Sequence, residues 1–140
     1  MRIAWIFLLL ASSAFAQDAD HAGLAGKWQT EPSESDGSGV STLNLEFKDG
    51  GTLHFLMRAR NGDTAEFECG TEGQECNMTD AGRKAKVSAW FNGLTLVIME
   101  TRGNIIVKRT LTANGRTVEL EVIPIVPPGK NDKLTYNKLS

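Results

Sequence analysis

From Gly26 to the C-terminus, apolar and polar residues alternate in short runs separated by glycine-bearing turns, and no segment carries apolar residues at helical spacing. Leu43, Leu45 and Phe47 interleave with Asn44, Glu46 and Lys48, and the same period of two returns in Leu53 to Met57 and in Val87 to Phe91. A strand points successive side chains to opposite faces, so this period describes strands with one buried face. The pattern predicts strands near residues 26–31, 41–48, 52–60, 64–69, 85–91, 94–101, 104–113, 116–124 and 132–138.

Each turn sets a register that the flanking side chains must satisfy. A two-residue turn at Asn92-Gly93 pairs Phe91 with Leu94, Ala89 with Leu96 and Val87 with Ile98, leaving Ser88, Trp90, Thr95 and Val97 on the other face. Asn114-Gly115 acts in the same way, opposing Leu111 to Val118 and Val107 to Val122 while setting Lys108 against Glu121. At Asp49-Gly50-Gly51 a three-residue loop matches Phe47 with Leu53, Leu45 with Phe55 and Leu43 with Met57; a two-residue loop would oppose Thr52 to Phe47. A bulged turn with Gly51 left-handed is therefore expected.

Nine hairpin-connected strands without room for crossover helices form an antiparallel meander. Curling it closed removes the exposed edges and sets the last strand beside an early one. The expected fold is all-β, a single antiparallel up-and-down β-barrel of about eight to nine short strands. Three longer connections remain: Pro32 to Val40, Gly70 to Lys84, and Ile125 to Asn131 with its Pro127-Pro128-Gly129 bend. They are short enough to be loops within one domain.

The N-terminus follows a different pattern. Arg2, the apolar run Ile3 to Leu10 and the small residues ending in Ala14-Phe15-Ala16 form a signal peptide with an A-x-A cleavage site, residues 1–16. The apolar run is shorter than the roughly 20 residues that span a bilayer. No Cys follows the cleavage site, which excludes the usual lipid anchor, so a secreted or periplasmic protein is expected. Residues 17–23 are read as a disordered mature N-terminus and 24–140 as the barrel domain. The whole chain carries 15 basic and 17 acidic residues, a formal charge of −2; Arg2 is the one charge in the leader, so the remainder stands at −3. Such a balance argues against nucleic acid as a partner and gives no electrostatic attraction to anionic membranes.

An exported chain with two cysteines, Cys69 and Cys76, is read as holding one disulfide that staples a loop. Six intervening residues are not the C-x-x-C spacing of a redox pair. Asn77-Met78-Thr79 is a formal glycosylation sequon, used only if the host glycosylates secreted proteins.

The opening Gly26-Lys27-Trp28 on the first strand, followed by hairpin-connected strands, resembles the lipocalin-like, calycin-type barrels, particularly small bacterial secreted ones. The likeness covers most of residues 24–138. It implies that Trp28 plugs one end of the barrel, often under a basic residue from a late strand, and that the cup binds a small apolar molecule. The biotin-binding barrels also open with Gly-x-Trp, but the rest of a biotin pocket has no match in this chain. The resemblance and the registers together nominate a cup lined by Trp28, Phe47, Phe55, Val87 and Phe91, with Leu96, Ile98 and Val107 completing it.

Arg109 breaks the apolar pattern, because the registers that turn Leu96, Val107, Leu111 and Leu120 inward turn it inward too. An interior guanidinium needs a carboxylate, carbonyl groups, an aromatic face or a bound anion. Stacking on Trp28 or capping the barrel end is the first expectation, and a ligand-facing Arg that selects a carboxylate headgroup is the second. Glu100, on the same face near a strand end, is read first as rim decoration and second as its partner. Outward positions include Leu56, Trp90, Val97, Met99, Ile106 and Ile123, with Met99 expected opposite Ile106 and next to Ile123. That band offers a homodimer or envelope-partner face and makes a non-catalytic interaction or structural module the alternative to a carrier.

Enzymatic motifs are missing: there is no H-E-x-x-H, G-x-S-x-G or phosphate loop, and His54 is expected to point outward. Asp63, Glu66, Glu68, Glu72 and Glu75 form an acidic stretch without the spacing of a calcium loop, read as a solvated face balanced by Arg83, Lys84 and Lys86. No catalytic residue, metal or cofactor is assigned.

Overall fold

In a computed structural model, residues 23–31, 39–48 and 51–139 are described. The signal peptide, all but the last of residues 17–23 and most of the Pro32 to Val40 connection lie outside them. Ten antiparallel strands follow one another: β1 (Gly26–Gln29), β2 (Thr42–Lys48), β3 (Thr52–Arg58), β4 (Thr64–Gly70), β5 (Glu72–Asp80), β6 (Arg83–Asn92), β7 (Thr95–Arg102), β8 (Ile105–Asn114), β9 (Thr117–Val126) and β10 (Asp132–Lys138). Every strand pairs with its sequence neighbour, and the short β1 pairs with both β2 and β10, which closes the sheet into a barrel. Trp28 stands opposite Lys138 at that closure.

Period-two alternation gives the barrel its inside. Leu43 and Leu45, Leu53 and Phe55, Ala65 and Phe67, Val87 and Ala89, Leu96 and Ile98, and Val118 and Leu120 are all buried in one contiguous core with Trp28, Leu111 and Tyr136. Phe55 and Phe67, directly opposite on β3 and β4, stack with ring centroids 5.0 Å apart. Leu24 adds to the same core from just before β1, where its carbonyl accepts the Trp28 indole N–H at 3.0 Å.

The three-residue loop before β3 has the expected register, with Lys48 opposite Thr52, Phe47 opposite Leu53, and Gly51 at φ 85°. The other two registers differ from expectation by two residues. Phe91 faces Leu96 rather than Leu94, Ala89 faces Ile98 and Val87 faces Glu100; Leu94 sits in the turn, 59% exposed. Leu111 faces Leu120 rather than Val118, and Lys108 faces Ile123 while Thr110 takes Glu121. Gly93 and Gly115 are the first residues of their two-residue loops, at φ 65° and 67°, and Leu94 and Arg116 after them keep negative φ. That is the type II′ arrangement, which wants glycine first; the Asn-Gly reading assumed type I′, with glycine second. A slip of two residues leaves every side chain on its expected face.

The largest correction is β5. The segment read as a loop from Gly70 to Lys84 is a strand, Glu72–Asp80, that turns through Ala81-Gly82 into β6. Its alternation is hidden because only Met78 is buried and apolar, and the turn rests on Ala81 at φ 52°, a conformation alanine seldom takes. Cys69 and Cys76 form a disulfide with Cα atoms 5.8 Å apart. The register Ala65↔Asp80, Glu66↔Thr79, Phe67↔Met78 extends to place these cysteines opposite each other. The bond therefore staples two strands rather than a loop.

Candidate functional site in the barrel interior

The sequence-nominated cup falls into two groups. Trp28, Phe55, Val87, Leu96 and Ile98 are packed against one another and the rest of the core, with essentially no surface left to water. Phe47, Phe91 and Val107 are half-buried, and the Phe47 and Phe91 rings meet at 6.1 Å with planes tilted by 33°. Inward-facing Met57, Val122 and Leu134 are also only partly buried. A groove of about 510 Å³ lies on the outer wall over β4 to β7, lined by Asn77, Thr79, Lys84 and Lys86 among others.

The cation over Trp28 is Lys138, its Nζ 5.5 Å from the ring centroid, which fits a cation attracted to an indole face. Arg109 was expected there and is elsewhere. The resemblance asks for a basic residue from a late strand, and closure of β10 on β1 brings Lys138 to that position.

Arg109 does face inward, between Ile98 of β7 and Val122 of β9, and is 8% exposed. Its Nη1 donates to Glu100 Oε1 at 2.6 Å, and its Nη2 lies 3.8 Å from Asp80 Oδ2. Glu100 is 3% exposed, a buried partner rather than a rim residue. Burial, and then a hydrogen bond with Asp80, push the Glu100 carboxyl above its ordinary pKa, while Arg109 pulls it down. Two carboxyl groups thus share one guanidinium. Among the described residues the buried Arg109 Nε–H has no partner, an omission that costs about 1–3 kcal/mol. Asp80 lies in the segment read as a loop, so sequence reasoning missed it; its signal was its place two residues past inward-facing Met78.

A second polar link ties the β1–β2 connection to β10. The Ser41 hydroxyl donates to the Arg58 carbonyl at 2.9 Å, so the buried Tyr136 hydroxyl is the donor in its 2.8 Å bond to Ser41 Oγ. The Ser41 N–H donates to Thr30 Oγ1 at 2.9 Å. Burial is the main influence on Tyr136 and raises its pKa.

His54 lies on the outer face, 2.7 Å from Glu66, and Lys48 pairs with Glu68 at 2.6 Å. Two of the five acidic side chains, Glu66 and Glu68, are thus met from β3 and β2, and Lys86 donates to Asn77. Among the described residues no group of three or more His, Cys, Asp or Glu is arranged to hold a metal ion. On the outer wall Met99 faces Lys108 rather than Ile106, which pairs with Thr101; Val97, opposite Trp90, is buried to 4% exposure.

No family model and no curated protein sequence matches the chain. Solved structures do. A secretary abundant heat soluble protein from Ramazzottius varieornatus superposes with a TM-score of 0.68 at 14% identity, over 84% of this chain and 96% of the other. Fatty-acid-binding protein 1 of Echinococcus granulosus gives 0.69 at 12% identity, over 84% and 98%. The Schistosoma mansoni fatty acid binding protein, in complex with arachidonic acid, gives 0.69 at 14%, over 86% and 99%. Near-complete coverage of the other chains means that the whole barrel is shared and not one hairpin. With its closed antiparallel wall and a tryptophan on the first strand beneath a late-strand cation, this chain has the lipocalin-like, calycin-type β-barrel fold.

Proposed function

We propose that this protein is a non-catalytic carrier that binds a small apolar ligand inside its barrel. The observation that carries the reading is the buried Arg109 and Glu100 pair with half-buried Asp80 beside it, set in a closed apolar wall next to partly buried Met57, Val107, Val122 and Leu134. Charged groups are costly to bury, and a barrel needing only a stable core would do better with apolar side chains there. The compared barrels include one in complex with arachidonic acid. In this reading Val107 meets the ligand at the end where Arg109 orients its polar group, Phe47 and Phe91 line the opposite end, beside the β2–β3 and β6–β7 turns, and Trp28, Phe55, Val87, Leu96 and Ile98 form the packed floor. Residues 1–16 act as a signal peptide and the product is secreted or periplasmic, a placement supported by the disulfide, which persists in oxidising compartments.

The test is native mass spectrometry on protein purified from its own compartment, repeated after organic extraction, with the extract identified by accurate mass. A stoichiometric adduct removed by extraction is the expected result. A clean monomer with no adduct from any preparation would count against the carrier.

One observation favours the alternative of a protein-interaction or structural module of the cell envelope: much of the barrel interior is already filled by its own side chains. The outer band of Trp90, Met99, Ile106 and Ile123 would then be the contact face, with Val97 buried beneath it. A concentration-dependent dimer mass in the same experiment is the outcome that reading expects.

A further inference from the structure

The polar end of the barrel interior is already supplied with anions. Glu100 on β7 takes one terminal nitrogen of Arg109 at 2.6 Å, and Asp80 at the end of β5 stands 3.8 Å from the other. Arg102, two residues beyond Glu100, forms no ion pair with either carboxylate among the described residues, and its own Nη1 is buried without a hydrogen-bond partner. The guanidinium thus has one carboxyl hydrogen-bonded to it and a second 3.8 Å away, and among the described residues its buried Nε–H has no partner. Resting on the carrier reading, we propose that Glu100 is a specificity-determining residue that turns the interior against free carboxylates and toward ligands with a neutral hydrogen-bond-accepting headgroup, such as an alcohol, ester or amide.

The argument is one of charge and of donors. A ligand carboxylate entering this end would add a negative charge beside two carboxyl groups that already share one cation, in surroundings where like charges are weakly screened. It would bind only by displacing Glu100 from Arg109, leaving Glu100 with another acid, Asp80, as its partner. A neutral oxygen adds no charge, leaves the Glu100 to Arg109 bond in place, and satisfies the orphaned Nε–H when it arrives with its apolar chain. A site that hydrogen-bonds a ligand discriminates strongly, because a mismatched ligand leaves buried groups unpaired.

The test compares dodecanol with dodecanoate as competitors of the neutral dye Nile red at pH 8, on wild type, Glu100→Gln and Asp80→Asn. Wild type is expected to bind dodecanol at least tenfold more tightly than dodecanoate. Glu100→Gln, which keeps the shape and removes the charge, should shrink that ratio at least fivefold, and Asp80→Asn should move it in the same direction. Asp80→Asn also serves if Glu100→Gln fails to fold. Equal or tighter binding of dodecanoate by wild type, or an unchanged ratio in both variants, would overturn the selectivity while leaving the carrier intact. Binding of neither compound nor the dye would overturn the carrier reading and the selectivity together.

Discussion

Glu100 is where the interior departs furthest from an apolar barrel, and its chemistry sets a pH dependence. Burial acts first to raise its pKa above the ordinary 4.5, and the Asp80 hydrogen bond acts with it. A carboxyl whose folded pKa exceeds its unfolded one contributes stability that is complete below the unfolded value and is lost as pH rises through the folded one. The urea midpoint of the wild type should therefore fall as pH climbs from about 4.5, and Glu100→Gln should flatten that slope; equal slopes would mean that burial does not disfavour the charged form. Removing the cation is a harsher test. Arg109→Met leaves buried Glu100 and half-buried Asp80 without their cation and should cost about 3–5 kcal/mol in denaturant unfolding, most of it recovered in the double variant Arg109→Met with Glu100→Met. A double variant no more stable than the single one would show that packing, and not the stranded charge, carries the loss. The inward direction of Arg109 was legible in the sequence because parity survives a two-residue slip. Of its partners, Glu100 was legible only as the second reading and Asp80 not at all. Glu100 looked terminal because the strand was expected to end at residue 101, whereas β7 continues to Arg102 and its turn lies beyond, at Gly103-Asn104.

Among the elements, β2 and β3 were readable in full, since their leucines and phenylalanines admit one register with Gly51 at a left-handed φ. The β6–β7 and β8–β9 hairpins were readable in their faces but not their partners, because a glycine in a two-residue loop serves as its first or second residue depending on turn type. β5 was illegible for a physical reason. It is held by its neighbours and the Cys69–Cys76 bond rather than by its own apolar face, with most of its residues exposed. Three residue pairs register β4 against β5, against seven between β3 and β4, so the disulfide clips the more sparsely registered of these two seams. In the chain-entropy model so short a ring is worth about 2.5 kcal/mol. Cys69→Ser with Cys76→Ser should lose roughly that much in urea unfolding and speed hydrogen exchange across residues 72–80 more than in β8 and β9. Uniform exchange across all strands would mean that β5 is held without the clip.

At the scale of the whole molecule, the meander needs only neighbours in sequence except at one place, where β1 meets β10. That single long-range pairing does several jobs together. It removes the two sheet edges, brings Lys138 over Trp28, and lets the Leu139 N–H donate to the Lys27 carbonyl at 2.9 Å. β10 also delivers Tyr136, fully buried and bonded to Ser41, and Leu134 opposite Leu120. Burying one such large side chain stabilises by about 1.5–3 kcal/mol, and a domain of this kind holds a total margin of only about 5–15 kcal/mol. Truncation after Asn131 removes those side chains, six registered pairs with β9 and the lid over Trp28, and leaves two unpaired edges. The expected outcome is a chain without a cooperative urea transition, prone to associate through its edges, as seen by circular dichroism and sedimentation. A truncated monomer that keeps a sharp transition near the wild-type midpoint would show that nine strands stand without closure. The barrel's stability would then rest on its hairpins and not on the ring.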